Sequence, residues 1–199
     1  MAASAPQKAA TEGRRELILE ATLGVIGAGG VDAVTHRRVA EEAGVALGSI
    51  AYYFDSRDDL VRQAFRFYME GVSVSAAEIE EALRGGGVAE LVRGLVALSE
   101  RDLDGPELVH AEYEMLVYAG RDPELAREVT RWQKTLDARL AESLEELGVP
   151  KPLEGARSVR GALRGFELER LINPGVGGRE LRRRLETVIA GLQHGPRGD

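Results

Sequence analysis

Residues 35–60 read THRRVAEEAGVALGSIAYYFDSRDDL, and this stretch decides the fold of the N-terminal part of the chain. Thr35 is a good N-cap for a helix that ends near residue 43, because its side-chain oxygen can accept a hydrogen bond from a first-turn amide. Gly44 can adopt the positive φ that a tight turn needs. A second short helix then covers about residues 47–53, so the pattern predicts a helix-turn-helix.

The rest of the chain also predicts helices. Strand signals are nearly absent, and apolar residues recur at three-to-four spacing between breaks rich in glycine and proline. Residues 1–12 are expected to form a flexible arm. The sequence therefore predicts an all-α protein of about nine helices, over residues 13–28, 35–43, 47–53, 56–83, 88–101, 106–119, 123–147, 153–172 and 179–192.

Composition excludes several classes of protein. The 199 residues include no cysteine, so disulfides, thiolate metal sites and cysteine nucleophiles are ruled out. Residues 1–7 lack the apolar core of a signal peptide. No stretch approaches the roughly 20 apolar residues that span a membrane. A cytoplasmic protein without a membrane partner is expected.

The net charge of the chain is negative, which opposes binding to a nucleic acid through the overall charge. The formal net charge is −7, and residues 1–60 carry six basic against nine acidic side chains. Neither part of the chain is basic overall. Binding to a polyanion would therefore depend on a local patch of positive charge.

The helix-turn-helix and the residues after it resemble a known family. The second helix ends in the aromatic run at residues 52–54, and a serine, a basic residue, two acids and a leucine follow at residues 56–60. Upstream, residues 18–21 read ILEA and suit the family's first helix. On these residues the chain resembles the TetR family of bacterial transcription regulators.

The resemblance implies that the motif contacts operator DNA. Thr35 would touch phosphate, Arg37 would reach base edges or phosphate, and Arg57 would lie against phosphate. The hydroxyls of Tyr52 and Tyr53 would donate to phosphates. The expected DNA contacts are Thr35, His36, Arg37, Arg38, Ala46, Leu47, Gly48, Ser49, Ala51, Tyr52, Tyr53 and Arg57.

Two departures and several alternatives bear on these contacts. Ala51 stands where the family usually has tyrosine, and Leu47 where it usually has lysine; either could instead contact a thymine methyl. Phe54 is expected in the core. The two tyrosines could also be core residues, Arg37 and Arg38 could form a solvated face, and His36 is expected on the exposed helix surface.

Large side chains of the C-terminal part are candidates for a ligand pocket, because the family places one between its middle helices. Simple core packing is the alternative for each residue. Of the polar residues at 110, 112 and 114, only the first and third share a helix face, and a metal site would need more ligands, so no metal site is expected. Glu112 or Glu114 could instead face a pocket, and no cofactor is expected. The candidates are Phe65, Tyr68, Met69, His110, Tyr113, Glu114, Met115, Tyr118, Trp132 and Phe166.

The last two helices predict an interface with a second copy. The final helix carries leucines and valine at heptad-like spacing, and the helix before it has two glycines one turn apart. Intramolecular packing is the alternative. The resemblance implies pairing through these helices in a four-helix bundle. The candidate dimerisation residues are Gly161, Ala162, Gly165, Leu181, Leu185, Val188 and Leu192.

These inferences combine into one functional hypothesis. Residues 1–55 would form the DNA-binding domain with its arm, and residues 56–199 a helical effector-binding and dimerisation domain. The protein would be a homodimeric repressor that binds a partly palindromic operator and is released by a small molecule. An activator or corepressor-dependent regulator is the main alternative. An enzyme is less favoured because no catalytic motif is present. A helical interaction module is less favoured because residues 35–60 carry the DNA-binding motif.

Overall fold

The computed structural model describes residues 5–83, 85–101 and 106–194, and these ranges hold α-helices, one 3₁₀ turn and no strand. The described elements are α1 (Ala5–Gly29), the 3₁₀ turn η1 (Val31–Ala33), α2 (His36–Glu42), α3 (Leu47–Tyr53), α4 (Arg57–Leu83), α5 (Val88–Arg101), α6 (Pro106–Ala119), α7 (Pro123–Glu146), α8 (Pro152–Ile172) and α9 (Gly178–His194). The predicted all-α class is confirmed. No helix in the described ranges is both long and apolar enough to cross a membrane.

Helix α1 begins at Ala5, whereas the sequence predicted a start at residue 13 and an arm before it. The arm prediction was therefore wrong for the secondary structure of residues 5–12. Residues 7–12 read QKAATE, which are mostly strong helix formers. Pro6 lies in the first turn, where a helix tolerates proline because those amides have no intrahelical partner.

Side-chain caps fix the starts of two long helices. The hydroxyl of Ser56 accepts a hydrogen bond from the Asp59 amide at 3.1 Å, which caps α4. The carboxylate of Asp122 accepts bonds from the amides of Glu124 at 3.0 Å and Leu125 at 3.1 Å, which caps α7. Because these amides lack intrahelical partners, each cap sets where its helix begins.

The chain divides into two compact units, with the divisions falling inside α4 and α7. Unit 1 contains the described residues up to Gly71 together with Pro106–Ala126, and unit 2 contains the described residues of 72–105 and 127–199. The boundary predicted between residues 55 and 56 separates DNA binding from effector binding. The compact units do not test this functional division, so it stays a prediction.

In unit 1, α6 packs closely against α1. A side chain at Gly27 would meet the backbone of Glu107, since a Cβ there would lie 2.6 Å from its carbonyl carbon and 2.7 Å from its Cα. Further along α6, the Glu114 side chain accepts a hydrogen bond from the amide of Val31, which begins η1, at 3.4 Å. The absence of a side chain at Gly27 is therefore what lets the two helices approach.

An ion pair joins α4 to the turn between α6 and α7 in the same unit. Arg62 Nε lies 2.8 Å from a carboxylate oxygen of Asp122. The hydrogen bond from Arg62, followed by those from the α7 amides, holds the pKa of Asp122 below its usual range. Asp122 therefore both caps α7 and fixes α4.

Unit 2 has its core where α5, α8 and α9 meet. Phe166 of α8 and the α9 residues Leu181, Leu185 and Ile189 are fully buried in one cluster with the apolar face of α5. Arg184 of α9 bonds to Glu169 of α8 at 2.7 Å. Most of the apolar stripe of α9 is thus covered by the chain's own helices.

This packing corrects part of the predicted dimer interface. Leu181 and Leu185 are interior residues of one chain, and Val188, Leu192 and Ala162 pack against the same core while partly buried. An apolar stripe specifies that some helix covers it but not which helix does so. Here α5 and α8 of the same chain cover it, and the sequence could not distinguish them from a partner.

Candidate DNA-binding site

Helix α2 starts where the sequence predicted. The Thr35 side chain accepts a hydrogen bond from the Arg38 amide at 3.1 Å, and its φ of −134° is that of extended backbone. Val39 and Ala40 are buried on the inner face of the helix. The opposite face of α2 is therefore turned outward, with Arg37 and Arg38 exposed.

The turn between α2 and α3 is closed by backbone hydrogen bonds. The amide of Val45 reaches back to the carbonyl of Ala40 at 3.0 Å, and Gly44 has a φ of +64°. A residue with a Cβ would be strained at this φ, so the prediction that Gly44 takes the turn's positive φ is confirmed. The turn joins α2 directly to the short helix α3.

Helix α3 has one buried and one exposed face. Ile50 is fully buried, and Phe54 directly after the helix is 2% exposed, so the prediction that Phe54 is a core residue is confirmed. Leu47 is 54% exposed although its side chain is apolar. The exposed or partly exposed residues of α3 and its N-cap are Ala46, Leu47, Gly48, Ser49, Ala51, Tyr52 and Tyr53.

The two tyrosines at the end of α3 differ in burial. Tyr52 is 78% exposed, whereas Tyr53 is half-buried. Their rings meet edge to face with centroids 4.9 Å apart. Aromatic rings favour this geometry, so each ring restricts where the other hydroxyl can point. Core packing does not account for Tyr52.

The charged residues of α2 are largely available on the surface. Arg37 forms an ion pair with Glu41 at 3.2 Å, in which both side chains are more than half exposed. Such a pair contributes little free energy, so Arg37 can leave it at small cost. His36 is half-buried, and its Nε2 is inaccessible and has no hydrogen-bond partner. The expectation of an exposed His36 was wrong for that nitrogen.

Arg57 has an intramolecular role that the sequence did not suggest. Its Nε donates to the Val34 carbonyl at 3.0 Å, and one terminal nitrogen donates to the Val31 carbonyl at 2.6 Å. The other terminal nitrogen donates to Asp58 at 3.1 Å. The guanidinium therefore fastens the loop before α2 to the start of α4. Its predicted contact with phosphate remains a prediction.

Arg15 is a second connection that sequence reasoning missed. It donates a hydrogen bond to the Gln63 side chain of α4, and its guanidinium carbon lies 5.9 Å from the centroid of the Phe54 ring. Arginine over an aromatic face is a favourable contact. No single-sequence signal links residues 15, 54 and 63, because the three meet only after folding.

The Thr35 cap gives a prediction about stability. Replacing Thr35 with alanine is expected to lower the free energy of unfolding by about 1 kcal/mol, because the Arg38 amide loses its partner. Thermal denaturation followed by circular dichroism measures this loss. The Thr35→Ser variant keeps an acceptor oxygen and should remain near the parent protein. Equal melting of the serine and alanine variants would contradict a capping role.

Unit 2 contains a cavity of about 240 Å³. Its wall is mostly aliphatic, with leucines of α5 at positions 91, 95 and 98 facing leucines of α7 and α8. The charged residues of the described wall are Asp137, Arg139, Glu142, Glu146 and Arg160. Ligand pockets combine an apolar wall with a few polar groups in this way.

The ten predicted ligand residues do not line this cavity. Phe65, Met115 and Phe166 are fully buried core residues, and Tyr68 and Met69 are nearly so. The other five predicted residues are also absent from the cavity wall; they are His110, Tyr113, Glu114, Tyr118 and Trp132. Large aromatic side chains gain most from burial, so they fill cores, and leucines are left to form the cavity wall.

Several of these ten residues have defined partners. The Tyr68 hydroxyl donates to Glu112 at 2.6 Å, and the indole N–H of Trp132 donates to Ser73 at 3.1 Å. Burial raises the pKa of Tyr118, whose ring lies 6.0 Å from that of Phe65. These side chains hold helices together. Asp137, a carboxylate within the apolar periodicity of α7, is a wall residue of the cavity that sequence reasoning did not single out.

The remaining dimer candidates lie on the outer face of α8. Gly161 and Gly165 are exposed, and a side chain at either would meet nothing within 4 Å. The same face continues with Leu168 at 46% and Ile172 at 88% exposure. These four residues, which we call the α8 stripe, occupy one side of the helix at spacings of four, three and four residues.

Comparison with known proteins places the chain in a family. The family model described as bacterial regulatory proteins, tetR family, matches residues 18–64, which include the whole helix-turn-helix. The model described as tetracyclin repressor-like, C-terminal domain, matches residues 86–193. Together the two models account for most of the chain.

Individual proteins agree with the family models. The chain is 33% identical over 134 residues to the HTH-type transcriptional repressor KstR of Mycolicibacterium smegmatis, across 67% of this chain and 64% of that relative. A TetR-family structure from Streptomyces coelicolor A3 is 30% identical, with a TM-score of 0.69 over 88% of this chain and 97% of that one.

A further solved structure is that of the multidrug binding protein EbrR complexed with imidazole. It is 29% identical to this chain, with a TM-score of 0.62 over 88% of this chain and 94% of that one. The resemblance that the sequence suggested at residues 35–60 is therefore confirmed by matches over both parts of the chain. The chain belongs to the TetR family of bacterial regulatory proteins.

Proposed function

We propose that this protein is a homodimeric transcription repressor that binds a partly palindromic operator in the bacterial cytoplasm and is released by a small molecule. The observation that carries the proposal is the exposed face of the helix-turn-helix. Leu47 and Tyr52 are largely solvent-exposed on α3, and Arg37 is exposed on α2. A recognition helix presents such residues to the major groove.

The exposed residues suit both kinds of contact that operator binding needs. An arginine can form a bidentate pair with guanine, and an exposed leucine can contact a thymine methyl. Tyrosine hydroxyls can donate to phosphate oxygens, which fixes the register of the protein on the duplex. With a net charge of −7, affinity depends on these local groups rather than on the overall field.

The α8 stripe supports the dimer. Two glycines followed by Leu168 and Ile172 allow close approach and then apolar burial, and a second copy of the same face would supply both. A twofold dimer presents two recognition helices, which explains why a partly palindromic operator is expected. The cavity of unit 2 supplies a place for the effector, and EbrR is a relative that binds small molecules.

Selection of duplexes from a random pool, followed by fluorescence anisotropy in a salt series, tests the proposal. Replacing Arg37 with alanine should cost about 1–3 kcal/mol of binding free energy if it contacts a base, or lower the salt slope by about one if it contacts phosphate. Replacing Tyr52 with phenylalanine should weaken binding by about tenfold through loss of one hydrogen bond to a charged group.

The matched control is Arg127→Ala, which removes the same charge from an exposed position of α7 outside the motif. It should leave operator affinity within about twofold of the parent protein, apart from a small long-range charge effect. Failure to enrich any sequence would contradict the proposal. Equal losses for Arg37→Ala and Arg127→Ala would exclude a specific role for Arg37.

A further inference from the structure

Asp137 is an unusual carboxylate because it lies on α7 with only 4% exposure. Its two carboxylate oxygens accept hydrogen bonds from Nε and one terminal nitrogen of Arg160, at 2.6 and 3.0 Å. A second guanidinium, that of Arg157, lies 3.9 Å away. Removing one partner of a buried pair leaves an uncompensated charge, which is strongly unfavourable. Asp137 must therefore keep a cation beside it.

Arg160 can lose its ion pair at a lower cost than Asp137, because it is less buried. Its side chain is 27% exposed, whereas that of Asp137 is 6% exposed. The guanidinium can therefore regain water by a rotamer change, while the carboxylate cannot. Both residues lie in the wall of the unit 2 cavity. A second cation that entered the cavity could replace Arg160 at Asp137 without leaving a buried charge unpaired.

The charges of the wall favour a cation over an anion. Among the described wall residues, Asp137, Glu142 and Glu146 are acidic, and only Arg139 and Arg160 are basic. An anionic ligand that took Arg160 would remove the bidentate partner of the buried Asp137 and add a negative charge to an acidic wall. The same exchange with a cation conserves the ion pair and improves the charge balance.

The volume and lining of the cavity limit the size and polarity of the rest of the ligand. A 150 Å³ apolar cavity holds benzene, so a volume of about 240 Å³ has room for about ten non-hydrogen atoms. Leu95, Leu136 and Leu163 offer aliphatic contact from three helices, and the described wall includes no aromatic residue. An apolar body of one small ring or a short chain fits this lining.

We propose that the cavity binds a small amphipathic organic cation, whose protonated amine replaces the Arg160 guanidinium at Asp137 while its apolar body lies among the leucines. The inference rests on the proposed function, in which unit 2 receives the effector. It also suggests how binding is transmitted, because Arg160 directly precedes Gly161 of the α8 stripe. Exchange at Asp137 would release the ion pair that ties α7 to the helix of the proposed dimer contact.

Isothermal titration calorimetry of the full chain at pH 7, without DNA, tests the inference with three probes of one shape. These are 4-phenylbutylamine, 4-phenylbutanol and 4-phenylbutyrate, which are cationic, neutral and anionic. The amine should bind at least about tenfold more tightly than the alcohol, and the acid should bind most weakly. Equal affinity for amine and alcohol, or tightest binding of the acid, would overturn the inference.

Two variants with opposite expected effects make the test specific. Asp137→Asn should reduce the preference for the amine over the alcohol to within about threefold, because the carboxylate that pairs with the amine is gone. Arg160→Gln should tighten amine binding, since the bidentate guanidinium no longer competes for the carboxylate and only the more distant Arg157 remains beside it. The amine should also raise the melting temperature of this variant more than that of the parent protein. Weaker amine binding by Arg160→Gln would contradict displacement.

Glu145→Gln is the control, since it removes an exposed carboxylate of the same helix that is not part of the cavity wall. It should keep the full preference for the amine. The test is independent of operator binding. A protein that binds the amine but no DNA would refute only the proposed repressor, and one that binds operator DNA but shows no charge preference would refute only this inference.

Discussion

Replacing Gly27 with alanine is expected to lower the free energy of unfolding by about 1–3 kcal/mol, although alanine is the better helix former. The new methyl group would overlap the Glu107 carbonyl oxygen and lie 2.6 Å from the carbonyl carbon of that residue. Both are backbone atoms of α6, so no side-chain rotation can relieve the clash. The helix would have to move away from α1.

Gly24 provides the matched control on the same helix. A Cβ there meets nothing within 4 Å, so the same substitution should raise the free energy of unfolding by about 0.5–1 kcal/mol through helix propensity. Urea titrations followed by circular dichroism measure both variants. Stabilisation by both substitutions would show that α1 and α6 do not pack as closely as described.

The second large effect is expected at Leu185, which is fully buried in the core of unit 2. Replacing it with alanine should cost about 2–5 kcal/mol, because a cavity is left among α5, α8 and α9. Unfolding followed by the fluorescence of Trp132, the one tryptophan of the chain and itself part of unit 2, reports the change.

Ile172 on the α8 stripe gives the contrasting result. It is 88% exposed, so Ile172→Ala should change the stability of the folded chain by less than about 0.5 kcal/mol. Its effect should appear as weaker self-association in sedimentation velocity at low protein concentration. The two variants are compared at one concentration, since dimerisation itself stabilises the chain. Dissociation by Leu185→Ala without loss of stability would restore α9 as the interface.

The apolar stripe of α9 illustrates what periodicity can and cannot predict. Heptad-like spacing correctly indicated that Leu181 and Leu185 are covered by another helix. It could not indicate that the covering helices belong to the same chain. By contrast, Gly161 and Gly165 were predicted as interface residues from their size alone, since small residues permit close approach whatever the partner. Both are exposed in the folded chain, and their place in a dimer interface stays a prediction.

Local signals determined most of the secondary structure and the candidate DNA-binding site. Thr35, Gly44 and Ser56 act through bonds and torsion angles within a few residues, so their roles could be predicted from neighbouring positions. The aromatic run at residues 52–54, where α3 ends, is also a local signal. It indicated the family that matches over both parts of the chain confirm. The largest error was the start of α1, which propensity extends to Ala5, and the 3₁₀ turn at Val31–Ala33 was not predicted.

Tertiary structure alone decided which side chains meet across long sequence separations. The contact of Gly27 with Glu107, the pairing of Asp137 with Arg160, and the bonds of Arg57 to Val31 and Val34 all depend on how helices and loops pack. The sequence by itself determined an all-α chain with a helix-turn-helix, because capping, turn geometry and periodicity are local. The cavity and the exposed stripe required the fold, because burial is a property of the packed chain and not of any one segment.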